Sequence, residues 1–205
     1  MTDNSANPLA LGSLILLTMA AFGAAVLAQD SGWLSYVPPA TAAVPEPAPD
    51  VDDRNALALY QSAFTAWAAL VLLIPAYWFY LTKGAGRQWF AFWLVSFIAY
   101  LIHLYVSAFL FFGGDFTWMT TSSRVSAFWP GMALIIWWAV DLVIAWRGMA
   151  LRWFGIQRGV LHIATFVLFF GGSAIKGEMI AIKLLGAVFA IAVVLALFSK
   201  RRGAA

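Results

Sequence analysis

The sequence predicts an all-α, polytopic integral membrane protein with six transmembrane helices. Hydrophobic residues make up 63% of its 205 positions and charged residues only 10%. The mean hydropathy of +0.86 lies far above that of a soluble domain. The apolar runs lack the period-2 alternation of a barrel strand, and hydrocarbon requires every backbone amide to bond within its own segment. The spans are therefore predicted to be helices.

Six apolar runs are long enough to cross a hydrocarbon core of about 30 Å, which needs about 20 helical residues. They lie near residues 8–28, 60–82, 89–112, 128–146, 153–172 and 177–198. All but one of the connections between them are short, so residues 1–205 are expected to form a single six-helix membrane bundle.

The charged residues predict the orientation of this bundle. If the N-terminus faces the cytoplasm, eight of the twelve bases fall on the inner side and seven of the nine acids on the outer side. The eight bases are Lys83, Arg87, Arg147, Arg152, Arg158, Lys200, Arg201 and Arg202. This pattern follows the positive-inside rule, and no basic stripe interleaved with aromatic residues indicates nucleic acid. We expect both termini to be cytoplasmic and the protein to lie in a bacterial inner membrane.

The first span, residues 8–28, is predicted to be an uncleaved anchor, because no Lys or Arg precedes it and it exceeds a signal core of about 7–15 residues. Residues 29–59 form a proline-rich, acidic outer arm. Its prolines favour extended polyproline II, and the acidic residues 50–53 are expected to cap and begin the second helix. The arm is either a spacer or a contact with a partner's outer surface through Trp33 and Tyr36.

Prolines and glycines mark positions within and between the later spans. Pro75 lies inside the second span, where it is expected to kink the helix. Pro130 lies at the start of the fourth span and suits a first helical turn. The glycine pairs at 113–114 and 171–172 suit helix C-caps.

The third span carries a polar stripe. Ser96, Tyr100, His103 and Ser107 are spaced by four, three and four residues, which places them on one helix face. Polar groups aligned within hydrocarbon normally face a bundle interior or a cofactor. Three interpretations follow: interhelical hydrogen bonds, ligation of haem or (bacterio)chlorophyll by His103 with Tyr100 and Ser107 beside it, or a substrate or proton path.

The second histidine, His162, lies in the fifth span. At 1.5 Å per residue, His103 lies about 20 Å from the inner end of its helix, and His162 about 5–14 Å from the inner end of its own. Because these depths differ, we do not expect both histidines to ligate one haem. Two histidines and one buried acid are also too few ligands for a di-iron or copper oxygenase site.

Two charged residues, Asp141 and Lys183, fall within predicted spans, where such residues are functional candidates by default. Both lie near a helix end, so each can also reach the interface or pair locally. The available partners are Arg147 and Arg158 for Asp141, and Glu178 and Asp115 for Lys183. Structural ion pairs and a proton or substrate relay are the alternatives. Asp141 and Lys183 belong to opposite leaflets and are not expected to pair with each other.

Eleven tryptophans in the chain predict an aromatic belt at the membrane interfaces. Those at the predicted span ends are Trp33, Trp78, Trp89, Trp118, Trp129, Trp146 and Trp153. Trp93, Trp137 and Trp138 lie deeper and are expected to broaden the surface that faces lipid or a partner. Small residues such as Gly186 and Ala190 would let the helices pack closely.

The sequence lacks the motifs of most catalytic sites. It has no cysteine, which excludes disulfides, iron–sulfur clusters and thiolate zinc sites. It also lacks a P-loop, GxSxG, HExxH and GxGxxG. Paired broken helices and an internal repeat, which are typical of transporters, are not detectable either.

The pattern favours a subunit without catalytic activity of its own. We expect an accessory or anchor subunit of a larger bacterial bioenergetic complex, respiratory or photosynthetic, in contact with other integral membrane subunits and lipids. The first alternative is an electron-transfer subunit that binds haem or another pigment at His103. The second is a small-solute or proton carrier that uses Asp141 and Lys183.

Overall fold

The computed structural model describes residues 53–122, 125, 127–148, 152–176 and 180–202, and every regular element in these ranges is helical. The α-helices within them are α1 Asp53–Lys83, α2 Arg87–Tyr105, α3 Phe116–Thr121, α4 Phe128–Trp146, α5 Arg152–Phe170 and α6 Ile180–Arg202. Two π-helical segments continue α2 and α5 as Val106–Phe111 and Gly171–Ile175.

Five helical segments of the described chain are long and apolar enough to cross a membrane. They are Phe64–Lys83, Arg87–Phe111, Phe128–Trp146, Trp153–Ile175 and Ile182–Ser199. These segments coincide with the second to sixth predicted spans, so the all-α, multi-pass prediction is confirmed for this part of the chain. The predicted first span, residues 8–28, lies outside the described residues, as does the arm before residue 53.

Helix α1 is longer than a membrane is thick. Its 31 residues, at 1.5 Å each, extend about 46 Å against a hydrocarbon core of about 30 Å. It begins at Asp53, in the acidic segment that was expected to start it, and Pro75 lies inside the unbroken helix. Residues 53–59, which the sequence assigns to the extended arm, are therefore helical.

The five spans pack in chain order. Helix α1 packs against α2 and α6, α2 also against α4, α4 against α5, and α5 against α6. Short connections make consecutive helices antiparallel neighbours, and the contact of α6 with α1 closes the ring. The turn between α1 and α2 contains Gly84 at φ +82°, a left-handed conformation that a side chain would strain.

The two predicted glycine caps have different outcomes. Gly113 and Gly114 have φ values of +60° and +78° and end the π-helical segment after α2, as a C-cap requires. Gly171 and Gly172 do not end a helix, so that prediction was wrong. They begin the π-helical segment after α5, which packs against α6.

Gly186 is the point of closest approach between α6 and this π-helical segment. A methyl group on Gly186 would collide with Oγ of Ser173 and lie 2.8 Å from the backbone nitrogen of Ala174. The predicted small-residue contact therefore involves Gly186, and glycine is required there because the two backbones nearly touch.

Aromatic side chains dominate the core between the helices. Its largest fully buried apolar members are Trp89, Trp93, Trp138, Phe189, Leu73 and Leu161. Trp93 and Trp138 are 0% exposed, so the prediction that they face lipid or a partner was wrong. Trp89 is likewise buried rather than part of an interfacial belt. Trp93 lies three residues before Ser96, and Trp138 three residues before Asp141, so each shares a helix face with a polar residue that is itself buried. The prediction took the tryptophans by their hydrophobicity alone, which does not distinguish a core position from a lipid-facing one.

Candidate functional sites within the spans

A buried carboxylate joins three helices. The side chain of Asp141 on α4 is 0% exposed and accepts three hydrogen bonds. Its Oδ1 accepts from Nε of Arg158 at 2.9 Å and from Nε2 of Gln157 at 2.7 Å. Its Oδ2 accepts from Nε1 of Trp93 at 3.2 Å. Trp137 then donates to Oε1 of Gln157, which fixes the orientation of that amide. We call these five residues the Asp141 cluster.

Asp141 forms an ion pair with Arg158. The pair offsets the cost of placing a charged side chain inside hydrocarbon. The structure pairs Asp141 with Arg158, one of its two expected partners, whereas Arg147 is exposed. Arg158 is only 11% exposed, and its guanidinium lies 4.7 Å from the centre of the Trp89 ring. A cation over an indole face gains further electrostatic stabilisation. The cluster therefore holds α2, α4 and α5 together through charged and aromatic contacts.

His162 on α5 packs directly beside the Asp141 cluster and is 4% exposed. Its Nε2 accepts from Nε1 of Trp89 at 3.0 Å, and its Nδ1 lies 2.8 Å from the backbone oxygen of Arg158. An indole nitrogen can only donate and a carbonyl oxygen can only accept, so the proton lies on Nδ1. The ring is stacked between Tyr80 and Trp93, at centroid distances of 3.9 and 4.2 Å.

Both nitrogens of His162 are therefore committed to bonds within the protein. Ligation of a metal through Nε2 would require the bond with Trp89 to break. Trp93 of α2 stacks on His162. His103 lies ten residues farther along the same helix, a distance of about 15 Å. This separation agrees with the expectation that the two histidines do not share one haem.

His103 lies in a second polar cluster, between α1 and the end of α2. Its Nδ1 lies 2.8 Å from the backbone oxygen of Ser62, with the Ser62 and Ser107 hydroxyls farther away at 3.4 and 3.5 Å. The two hydroxyls bond each other at 2.6 Å. The Tyr100 ring stacks beside the imidazole at 5.6 Å. We call these four residues the His103 cluster.

The predicted polar stripe faces α1 at three of its four positions. Ser96 is fully buried and donates to the backbone oxygen of Ala69 at 2.8 Å, while His103 and Ser107 contact Ser62. The Tyr100 ring instead packs against Phe169 of α5 at 5.0 Å. Interhelical hydrogen bonding thus accounts for most of the stripe. The prediction of a cofactor at His103, Tyr100 and Ser107 stays a prediction.

Lys183 lies apart from both clusters. It is exposed near the start of α6 and has no hydrogen-bond or ion-pair partner among the described residues. Asp115, one of its expected partners, instead caps α3 by accepting from the backbone nitrogen of Trp118 at 2.9 Å. Glu178, the other, lies outside the described residues. The Asp141 carboxylate bonds Trp93, Gln157 and Arg158, so Lys183 and Asp141 do not pair, as expected.

The aromatic residues predicted to contact a partner or lipid differ in their exposure. Trp137 is half-buried, and its indole donates to Gln157. Trp33 and Tyr36 lie outside the described residues. At the helix ends, Trp129, Trp146 and Trp153 are exposed, as interfacial anchors should be, and Trp146 is 82% exposed.

Sequence reasoning named Arg158 as a partner of Asp141 but missed the tryptophans that bond Asp141 and His162. Trp89 and Trp93 are four residues apart on α2, and Arg158 and His162 are four residues apart on α5. Each pair therefore lies on one helix face, a spacing that could have identified the two facing surfaces.

No group of three or more histidine, cysteine, aspartate or glutamate side chains that could hold a metal ion occurs among the described residues. Comparisons with protein-family models, with curated proteins and with solved structures each found no match to this chain.

Proposed function

We propose that this chain is an accessory or anchor subunit of a larger bioenergetic complex in a bacterial inner membrane, without catalytic activity of its own. In this role it presents helix faces to other membrane subunits and to lipid. The six-span topology with both termini in the cytoplasm is part of this proposal.

The observation that carries the proposal is that the buried polar groups are bonded to one another within the protein. The Asp141 carboxylate accepts three direct bonds from α2 and α5, and both ring nitrogens of His162 are bonded. A carrier needs intramembrane polar groups that can exchange their partners during transport. These groups instead hold fixed positions in a network of rings and hydrogen bonds, which suits a rigid scaffold.

The outward faces suit contact with apolar partners. Large side chains are exposed along all five spans, including Trp129, Trp146, Val167 and Leu184. Tryptophan in particular offers a wide apolar surface with a polar edge, and it is enriched at protein interfaces and membrane boundaries. The outer arm, with Trp33 and Tyr36, would extend this contact beyond the membrane.

Photo-crosslinking in the native membrane tests the proposal. A benzophenone amino acid is placed at Trp146 on α4, and separately at Leu184 on α6, both exposed positions. A subunit of a complex should give at least one discrete crosslink to another membrane protein, and the two positions should differ because a partner covers particular faces. Adducts with lipid or with a second copy alone, from both positions, would contradict the proposal.

A further inference from the structure

We propose that His103 is the axial ligand of a haem, through its Nε2. The site lies where the first half of α1 meets the end of α2. It goes beyond the accessory role proposed above, because it holds whether or not the chain docks onto a partner.

The first argument is the tautomer of His103. The nearest partner of Nδ1 is the backbone oxygen of Ser62, at 2.8 Å, and a carbonyl oxygen can only accept. The proton therefore lies on Nδ1, and the lone pair lies on Nε2. Metal-bound histidines characteristically donate their other ring N–H to a carbonyl, carboxylate or water, which fixes the ring and raises its basicity.

The second argument is that Nε2 has no hydrogen-bond partner among the described residues, whereas His162 in the same protein has both nitrogens bonded. The two histidines therefore differ in the property that ligation needs. If His103 served only to join α1 to α2, its bond through Nδ1 would suffice. An acceptor left without a donor inside an apolar span is unfavourable unless something binds it.

The third argument is the surroundings of the imidazole. The ring is positioned from two sides, by the stacked Tyr100 ring and by the bonded pair of Ser62 and Ser107 hydroxyls. These contacts hold the ring in one orientation, as an axial ligand requires.

The fourth argument is the local backbone. A π-helical segment begins at Val106, three residues after His103. Such segments are rare, and they occur frequently at functional sites. This irregularity therefore marks the end of α2 independently of the side-chain geometry.

The proposal commits to haem iron, for which a neutral imidazole is a common axial ligand. Because His162 is committed elsewhere, His103 would be the single histidine from this chain on the iron. The second axial position of the iron would be open, or it would be occupied by a ligand that does not belong to the described residues.

Absorption spectroscopy on the full chain tests this proposal. Hemin is titrated into protein purified in mild detergent, for the wild type, for His103→Leu and for His162→Gln as the matched control. We expect a shifted Soret band in the wild type and in His162→Gln, and at least tenfold weaker binding in His103→Leu. Gel filtration confirms that each variant remains folded.

Two further measurements separate ligation from a structural role. In His103→Gly, added imidazole should restore the Soret shift of the wild type, which a purely structural histidine would not do. Equal hemin binding by the wild type and His103→Leu, or no hemin binding by the wild type, would overturn the proposal. A magnesium chlorin in protein isolated from its native membrane, instead of haem, would overturn the assignment of the metal.

Discussion

Nε of Arg158 donates to Oδ1 of Asp141 at 2.9 Å, and neither side chain is more than 11% exposed. This ion pair joins α4 to α5, and the bond from Trp93 to the same carboxylate adds α2. The Asp141 carboxylate therefore holds α2, α4 and α5 in position relative to one another.

Replacement of only one member should be strongly destabilising. Asp141→Leu leaves the Arg158 guanidinium without its counter-charge, and breaking a buried pair in this way costs about 3–5 kcal/mol. The double variant Asp141→Leu with Arg158→Met should recover most of the loss, since it removes both charges. Thermal unfolding in detergent, followed through a double-mutant cycle, measures the coupling. Single variants as stable as the wild type would contradict the structural role of the pair.

Two buried tryptophans provide a matched comparison. Nε1 of Trp93 donates to Asp141, whereas Nε1 of Trp138 is buried without a hydrogen-bond partner in the described part of the chain. Both changes to phenylalanine remove similar ring volume, but only Trp93→Phe removes a bond to a charged group, worth about 1.5–3 kcal/mol. Trp93→Phe should therefore lower the melting temperature more than Trp138→Phe does. The reverse order would show that the bond to Asp141 contributes little.

The close contact at Gly186 predicts opposite effects for two glycine substitutions. Gly186→Ala places a methyl group against Ser173 and Ala174, and such overpacking costs about 1–3 kcal/mol. Gly155→Ala on α5 meets nothing within 4 Å, so its effect should be neutral or stabilising by about 0.5–1 kcal/mol. Unfolding of both variants in the same detergent measures this difference. Equal effects would mean that α6 does not approach the π-helical segment this closely.

Much of the fold follows from the sequence, because runs of about 20 apolar residues are typical of membrane-spanning helices. The pairing of Asp141 could also be anticipated, since an intramembrane acid requires a nearby base and Arg158 was one of two candidates. The burial of Trp93 and Trp138 was not anticipated, although each lies three residues before a polar residue, Ser96 and Asp141, and shares its helix face. Hydrophobicity alone does not distinguish a core position from a lipid-facing one.

The different roles of the two histidines also needed the structure. Their sequence neighbourhoods do not reveal that Trp89 reaches Nε2 of His162 from another helix, or that His103 bonds a backbone oxygen of α1. Such contacts arise between helices far apart in the sequence. The π-helical turns at Val106 and Gly171 likewise have no simple sequence signal.

Lys183 is predicted to be dispensable for stability. It is exposed and has no partner among the described residues, so Lys183→Gln should change the free energy of unfolding by no more than about 0.5 kcal/mol. A carrier that uses this charge would lose activity in the same variant. Proton and solute uptake by proteoliposomes, measured for the wild type and Lys183→Gln, should show no activity that depends on this residue. A transport activity abolished by Lys183→Gln would favour the carrier.

The accessory role is tested most directly by extracting the protein from its native membrane in mild detergent, followed by sizing and mass-spectrometric identification of the bound proteins. The account predicts a large particle in which this chain co-purifies in fixed stoichiometry with redox or photosynthetic membrane subunits. A particle that contains only one or a few copies of this chain would contradict it.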